Sequence, residues 1–396
     1  MTTLSLPERA CPLCESTEKR TLFKQRFDAL SEGTLLRGYD VTCCDSCGFV
    51  YADRIPEQSK FDEHYARMSK YEYSHTGGEV SELDAQRFRA IAELIERTLP
   101  DHKLRILDVG CSTGGLLSEL KARGYHSVKG LDPSAVCSRL AREFYGIEVK
   151  EGTIFENDVE PESVDVIILV GVLEHIRDVM PALKGIEKCL SKNGVIYAEV
   201  PDLTRAVDWP GAPYQEFSTE HVGFFGPKSL AHLFSRAGYK TMAMERVPRQ
   251  FTKSTVMPSA CGFFERATGG VECPIDDETE PSLLRYIERS ADAERATAGM
   301  ISDLAEEGRD VVVWGTGTHT LHLLKTTRLS EVQISAFVDV NANYHGKELI
   351  GRPIIAPEAM RSRSEPILVS SYAFQEEIIR FIRSELAIKN QVIQLY

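Results

Sequence analysis

The chain has 396 residues, which is too long for one hydrophobic core and, at about 150 residues per domain, predicts two or three domains. Hydrophobic residues make up 42% and charged residues 27%, and the net charge is -13, which is ordinary for a globular protein and argues against nonspecific nucleic-acid binding. The longest apolar stretch, Val166 to Leu173, is far shorter than the ~20 residues of a membrane-spanning helix, and the amino terminus lacks the apolar run of a signal peptide. We therefore expect a cytoplasmic protein with reduced cysteines.

Four of the ten cysteines form two C-x-x-C pairs near the amino terminus. Thiolates at this spacing on tight turns can converge on one tetrahedral ion, and four of them leave no position for water. Cys43 competes with Cys44 for the second pair, but Cys44 has the two-residue spacing to Cys47, and Gly48 suits a tight turn. The alternative is that these are free buried thiols. The sequence predicts a structural zinc site with the ligands Cys11, Cys14, Cys44 and Cys47.

An aromatic segment from Phe61 to Tyr73 follows, and the pair Gly77-Gly78 breaks it. We expect the zinc-binding module to span residues 1–75. Apolar side chains from Phe88 to Leu99 then recur at helical spacing, which predicts an amphipathic helix covering the first strand of the next domain.

The segment from Arg105 to Pro133 joins an apolar strand, a glycine-rich turn, a helix and a second strand that ends in an acid. Gly110 and Gly114 allow a tight turn and a close approach of the backbone to a ligand, and Asp132 lies at the distance from which an acid can reach ribose hydroxyls. The turn lacks the third glycine of the dinucleotide motif, so a nucleoside is favoured. It resembles the glycine-rich motif of class I S-adenosylmethionine (SAM) dependent methyltransferases.

Strands are predicted at about 104–109, 127–132, 147–149, 164–170, 194–200 and 240–246, with helices between them. This alternation predicts an α/β fold with a parallel sheet covered on both faces and a ligand at the carboxyl ends of its strands. We expect the SAM-dependent methyltransferase (Rossmann-like) domain to span residues 76–248.

The resemblance implies that the ends of these strands bind the cofactor. Many family members place an acid after the third strand, against the adenine, whereas this chain has Thr153; backbone groups of Thr153 and Ile154 can make that contact instead. The expected SAM-binding residues are Asp108, Gly110, Ser112, Gly114, Asp132, Pro133, Thr153, Ile154 and Val170.

Two segments carry candidate catalytic residues. His175 follows the fourth strand, and Glu220 and His221 lie after the fifth strand, before a helix that begins near Pro227. Histidine suits proton transfer because its unperturbed pKa of ~6.5 is near the working pH. The adjacent acid can orient it or hold substrate hydroxyls. The alternative for His221 is a structural role in bracing the loop.

Beyond Val247 the pattern changes. Residues 249–308 are predicted to be irregular up to a long polar bridging helix from about Pro281 to Glu307. Residues 309–396 then read as a small Rossmann-like α/β domain, with a strand and glycine turn at Gly315 and Gly317 and a strand ending at Asp339. The helix amino terminus at Thr318 can hold a substrate phosphate.

The order of these modules resembles the sugar C-methyltransferases that act on dTDP-linked 4-keto deoxysugars, over essentially the whole chain. The resemblance implies that His221 is the base that takes the C3 proton beside the ketone, with Glu220 next to it, and that His175 is a second active-site histidine. A family tyrosine corresponds to Ser218, so its contact is missing or comes from Tyr214. Another corresponds to Tyr71 or Tyr73.

The resemblance thus implies SAM as methyl donor, structural zinc, a nucleotide sugar as small-molecule partner, and no catalytic metal. An O-methyltransferase, or less favourably an N-methyltransferase, acting on a sugar nucleotide or glycan is the alternative. A non-catalytic SAM-binding scaffold is a third. The sequence leaves open whether the chain is a monomer or a dimer.

Overall fold

The computed structural model describes residues 6–27, 35–67, 81–208, 211–250, 256–372 and 374–396. They form two compact units, the first made of Met1–Arg26, Gly38–Trp209 and Glu216–Arg285, and the second of Phe27–Arg37, Pro210–Gln215 and Tyr286–Tyr396. The cysteine-bearing segment therefore belongs to the same unit as the central sheet. The domain boundaries after residues 75, 248 and 308 stay a prediction.

The first unit contains two sheets with their helices. Its elements are β1 (Lys19–Arg26), β2 (Gly38–Cys44), β3 (Val50–Asp53), α1 (Gln58–Arg67), α2 (Glu82–Thr98), β4 (Ile106–Val109), α3 (Gly115–Ala122), β5 (Val128–Asp132), α4 (Ala135–Tyr145), β6 (Val149–Glu151), β7 (Val164–Val170), α5 (Val179–Glu187), β8 (Leu190–Pro201), β9 (Gly223–Phe224), α6 (Pro227–Arg236), β10 (Tyr239–Gln250), β11 (Val256–Arg266) and the start of α7 (Thr279–Glu307).

The larger sheet, over the described residues, has seven strands in the order β10-β11-β8-β7-β4-β5-β6. Strands β4 to β8 run parallel. Because side chains alternate along a strand, Ile167 and Leu169 of β7 pack in one core with residues of α5 and α6, and Val166 and Ile168 pack in the other with residues of α2, α3 and α4. The predicted α/β sheet, covered on both faces, is confirmed.

The expectation that the chain after residue 248 is irregular is wrong for its first part. Strand β10 continues to Gln250, and β11 lies between β10 and β8, antiparallel to both. Pro248 and Pro258 suggest a loop in the sequence, yet they face each other across β10 and β11. Pro258 is tolerated because the pairing of β11 with β8 begins only at Ser259.

The smaller sheet links the amino-terminal segment to the candidate acceptor segment. Its order is β1-β2-β3-β9. Val50 pairs with Phe224 and Tyr51 with Gly223. The strand that follows His221 is therefore part of the sheet that carries the second cysteine pair.

The second unit contains the rest of α7, β12 (Val311–Trp314), α8 (Thr318–Thr326), β13 (Ile334–Val338), β14 (Glu348–Leu349), β15 (Arg352–Ile355), β16 (Ile367–Val369), α9 (Gln375–Ser384) and β17 (Val392–Gln394). Its strand order over the described residues is β14-β15-β13-β12-β16-β17, and only the β14–β15 pair in this sheet is antiparallel. The predicted Rossmann-like tail is confirmed as an α/β unit. Among the described residues, no helix has the length and apolar character needed to cross a membrane.

Gly48 allows a close backbone contact after the second cysteine pair. Its φ is +76°, and a Cβ there would lie 1.8 Å from the carbonyl oxygen of Asp276. We expect Gly48→Ala to lower the free energy of unfolding by about 2–4 kcal/mol, because the backbone must move. Urea unfolding measures this. In the control, Gly269→Ala, the new Cβ meets no atom within 4 Å; equal losses in both variants would contradict the prediction.

Candidate active site and cysteine cluster

The two predicted cysteine pairs converge. The Sγ atoms of Cys11, Cys14, Cys44 and Cys47 all lie within 4.8 Å of one another. Cys11 Sγ is 3.6 Å from Cys47 Sγ, and Cys14 Sγ is 3.5 Å from Cys44 Sγ. These distances are too long for disulfides. They are near the ~3.8 Å that separates two thiolates on a tetrahedral ion with 2.3 Å bonds. The cluster can hold a metal ion.

Cys43 lies outside this cluster, as the two-residue spacing predicts. Its thiol points to the carbonyl oxygens of Cys44 and Gly48 instead. The turn after Cys44 is closed by a hydrogen bond from Gly48 N to Cys44 O of 2.9 Å, and Asp276 N donates to Cys47 O at 2.9 Å. The backbone therefore holds both cysteines of the second pair in place.

The glycine turn after β4 is organised by Asp132 at the end of β5. One carboxylate oxygen accepts from Ser112 N at 2.8 Å and the other from Ser134 N at 2.9 Å. Gly110 and Gly114 have φ of +74° and +79°, and Ser112 also has a positive φ of +53°. A Cβ at Gly110 would lie 2.8 Å from Val172 Cγ2. The turn thus has the narrow, glycine-dependent shape that lets a ligand approach the backbone.

Asp108 lies buried beside this turn. Burial raises the pKa of its carboxyl well above the ordinary range, and the neighbouring Asp132 raises it further. Burial also raises the pKa of Asp132, against the hydrogen bonds from Ser134 and Ser112. Two buried acids near the carboxyl ends of the adjacent strands β4 and β5 favour a ligand that carries positive charge.

The segment after β6 forms a turn of its own. Thr153 Oγ1 accepts from the N–H groups of Phe155 and Glu156, and Thr153 N donates to Glu156 O. Ile154 is buried. Because the Thr153 side chain is engaged within the turn, an adenine contact here would fall to other groups of the segment.

Two histidines predicted to be catalytic meet. The rings of His175 and His221 lie 4.8 Å apart between centroids, at 80°. Glu174 lies beside them, with a ligand atom within 4.8 Å of one on each histidine. The Tyr65 hydroxyl is 3.0 Å from Nδ1 of His175.

Burial sets the protonation of this cluster. It lowers the pKa of His221 to about 4, so the imidazole is neutral at physiological pH and can accept a proton. Burial raises the pKa of Glu174 to about 8, with a further contribution from Glu199. The site therefore combines a neutral base with an acid that tends to stay protonated.

Backbone hydrogen bonds position His221. The next residue, Val222, donates its N–H to Glu174 O at 2.7 Å and accepts from Ala52 N at 2.9 Å. On the other side, Ser218 Oγ accepts from His221 N at 3.1 Å and Glu220 N at 3.3 Å. Ser218 thus shapes the loop through its side chain.

The other predicted residues are placed as follows. Glu220 is exposed, and the acid grouped with the two histidines is Glu174. Tyr71 and Tyr73 lie outside the described residues. Tyr214 belongs to the second unit, where its N–H donates to Ser290 Oγ at 3.2 Å. Val170 ends β7, and Pro133 follows β5.

The sequence interpretation missed Glu174 and Tyr65 as site residues. Glu174 was available as the neighbour of His175, but an acid next to a histidine in sequence need not share its site. Tyr65 stands 110 positions from His175. Its aromatic segment gave no signal of which ring faces the histidines.

The second unit has a similar arrangement, in which an aspartate at the end of one strand accepts hydrogen bonds from the turn after the neighbouring strand. Asp339 accepts from Thr316 N at 3.0 Å and from Asn341 N at 2.8 Å. His319 Nε2 contacts the Tyr396 hydroxyl at 2.5 Å, and His322 Nε2 lies 3.2 Å from Glu294 Oε1. The two histidines are thus engaged within this unit.

Two family models match the chain. One, described as a methyltransferase domain, matches residues 83–243, and one described as C2185-like, N-terminal, matches residues 308–393. The first contains the glycine turn, the cluster of histidines and most of the seven-stranded sheet. The second corresponds to the sheet of the second unit.

The relatives of the chain include O-methyltransferases and a C-methyltransferase. The chain is 36% identical over 109 residues to the ubiquinone biosynthesis O-methyltransferase of Azorhizobium caulinodans, covering 26% of this chain and 42% of that protein. For the enzyme of that name in Ralstonia nicotianae the identity is 31% over 110 residues, covering 26% and 45%. C-methyltransferase NovU of Streptomyces niveus is 23% identical over 341 residues, covering 82% of this chain and 78% of that protein. The chain thus spans less than half the length of the two O-methyltransferases.

Among solved structures, a Burkholderia thailandensis 1,6-didemethyltoxoflavin-N1-methyltransferase with bound S-adenosylhomocysteine has 17% identity and a TM-score of 0.43, covering 56% of this chain and 96% of that chain. The chain thus contains a methyltransferase domain over residues 83–243, and methyltransferases are among its relatives.

The raised pKa of Asp108 gives a test of the cofactor site. In the folded chain the Asp108 carboxyl stays protonated at pH values where an ordinary carboxyl is ionised. The contribution of Asp108 to stability therefore falls as the pH rises from the ordinary carboxyl pKa to the raised one. Asp108→Asn should raise the melting temperature of the ligand-free protein at pH 8 by about 2–4 °C. It should weaken S-adenosylhomocysteine binding about 10- to 100-fold, because an asparagine amide cannot ionise to pair with the ammonium group of the ligand.

Thermal melts from pH 5 to pH 8 and calorimetric titration measure the two effects. The gain in melting temperature should grow with pH. Asp165→Asn is the matched control. Asp165 lies at the other end of the neighbouring strand β7, and Arg105 holds the pKa of its carboxyl far below the ordinary range. A stability gain without any loss of ligand affinity would remove Asp108 from the cofactor site.

Proposed function

We propose that this methyltransferase transfers a methyl group to carbon in a nucleotide-linked keto-deoxysugar, with His221 as the base. The observation that carries the proposal is the grouping of His221 with His175 and Glu174, in which the His221 imidazole is half-buried and burial lowers its pKa. The similarity to C-methyltransferase NovU over 82% of this chain supports carbon as the acceptor. The sugar substrate is inferred from the resemblance of the module order in this chain to that of the sugar C-methyltransferases.

The turn after β4 would hold the cofactor. Asp132 is fixed at the strand edge and would bind ribose, and the glycine turn with Asp108, Ser112 and Pro133 would hold the methionine part. Thr153, Ile154 and Val170 would border the adenine. SAM, when bound, supplies a methyl group on a sulfonium, and its sulfonium and ammonium groups carry the positive charge that the two buried acids favour.

The residues of the cluster then have separate roles in the reaction. The neutral His221 takes the proton from the carbon next to the ketone, and the electron pair of that C–H bond forms the enolate. Attack of the enolate carbon on the methyl group of a bound SAM would break the sulfur–methyl bond, and the electron pair of that bond would remain on sulfur. His221 returns its proton to solvent. His175, whose Nδ1 contacts the Tyr65 hydroxyl, and Glu174 would donate hydrogen bonds to the enolate oxygen.

We further propose that the four-cysteine cluster binds structural zinc. The sulfur separations and the absence of a fifth nearby ligand group among the described residues support a closed, non-catalytic site. Because β9 pairs with β3, this metal would stabilise the loop that bears His221. A nucleotide sugar as partner, a monomeric or dimeric state and a cytoplasmic location stay predictions.

An O-methyltransferase is the second candidate. The local identity of 36% to a ubiquinone biosynthesis O-methyltransferase favours it. In that case His221 would deprotonate a hydroxyl, and no carbon-bound proton would exchange.

Proton exchange separates the two candidates. In heavy water with S-adenosylhomocysteine and a dTDP-linked 4-keto deoxysugar, the enzyme should exchange the C3 proton, which nuclear magnetic resonance detects. His221→Asn should slow this exchange about 10²- to 10⁴-fold, because the base is gone. His126→Asn, which changes an exposed histidine, should exchange at the wild-type rate.

If no keto sugar nucleotide shows exchange while a hydroxyl is methylated, the carbon acceptor is wrong. If methyl transfer persists in His221→Asn at a rate near wild type, the base is another group, whichever atom accepts the methyl.

The adjacent cysteines provide a matched test of the zinc site. We expect one zinc per chain by mass spectrometry of the native protein. Cys44→Ser should lose the metal and much of the activity, whereas Cys43→Ser should keep both, because only Cys44 belongs to the cluster. Equal metal content in the two variants would contradict the assignment.

A further inference from the structure

A second group of potential metal ligands lies outside the cysteine cluster. Ligand atoms of Glu174, His175 and His221 lie within 4.8 Å of one another, and across the described residues only this group and the four cysteines have that arrangement. The set of two imidazoles and one carboxylate is a donor set of divalent transition-metal ions.

Glu174 supplies an independent indication of a cation. Its side chain is 4% exposed, and its Oε2 atom has no hydrogen-bond partner among the described residues. A buried polar oxygen without a partner is costly, and a coordinated metal ion would satisfy it. Backbone hydrogen bonding fixes Glu174 at this place, since its carbonyl oxygen accepts from Val222 N.

The histidine geometry suits a shared ion. Two imidazoles on one tetrahedral ion with bonds of about 2.0 Å have ring centroids about 5 Å apart, and the rings of His175 and His221 are 4.8 Å apart. The Tyr65 hydroxyl at Nδ1 of His175 resembles the outer hydrogen bonds that orient metal-binding histidines.

We propose that Glu174, His175 and His221 bind a divalent transition-metal ion and that this ion inhibits methyl transfer. A coordinated His221 nitrogen has no lone pair with which to take a proton. The binding stands on the geometry alone, whereas the inhibition rests on the proposed function of His221 as base.

Cobalt(II) serves as the probe. The full-length protein is first purified with zinc in the cysteine cluster and freed of excess metal. Titration with CoCl₂ should then produce a visible d–d absorption band that saturates at one ion per chain. Co²⁺ should inhibit C3 proton exchange and methyl transfer with the same constant, and a chelator that leaves the cysteine-bound zinc in place should reverse the inhibition.

Variants locate the ion. Glu174→Gln and His175→Asn should weaken Co²⁺ binding about 100-fold, and Tyr65→Phe about 10-fold, because loss of an outer partner usually costs 10- to 100-fold. His64→Asn is the matched control, since His64 lies on α1 next to Tyr65 but outside the ligand group. Its affinity should equal that of wild type. Binding of S-adenosylhomocysteine checks that each variant is folded.

The outcomes are distinct. Absence of the band, or equal affinity in wild type, Tyr65→Phe and His175→Asn, overturns the metal site and leaves the proposed methylation untouched. Saturating Co²⁺ that leaves proton exchange unchanged or accelerates it overturns the inhibition. The band is read without substrate, so failure of the proposed function, meaning no exchange with any keto sugar, does not affect the binding result.

Discussion

The backbone of Val222 is hydrogen-bonded in two directions, and the candidate active site depends on both bonds. Its N–H reaches Glu174 O in the turn after β7, and its carbonyl oxygen reaches Ala52 N in β3. One residue before it, His221 is thereby held at His175. Gln58 at the start of α1 strengthens the link by accepting from Arg177 N and Asp178 N. The cysteine-bearing sheet thus helps to position the site residues. A structural metal in the cysteine cluster would therefore stabilise the site indirectly.

Features encoded over short distances were predictable from the sequence. The cysteine pairs, the glycine turn at Gly110 and Gly114, and Asp132 depend on spacings within single segments, and their local geometry follows from those spacings. The choice of Cys44 over Cys43 is an example, since one residue of register decides which thiol faces the cluster. The α/β fold follows from alternating apolar strands in the same way.

Features that depend on distant residues were not predictable. Tyr65 and His175 are 110 positions apart, and a single sequence contains no signal that pairs them. Glu220, which precedes His221, stays a predicted site residue, and in this loop its backbone N–H donates to Ser218 Oγ. Strand β11 was hidden by its proline, which the sheet tolerates because of where pairing with β8 begins. In each case the tertiary partner, rather than the local pattern, decides the outcome.

We propose that the methyl donor and the base lie together at the carboxyl ends of the parallel strands, where His175 and His221 meet. A crystal structure with S-adenosylhomocysteine tests it most directly. We expect a ribose bound to Asp132, a sulfur atom facing the two histidines, and intact pairing of β3 with β9. A sulfur atom directed away from His221, with another proton acceptor beside it, would show that His221 is not the base.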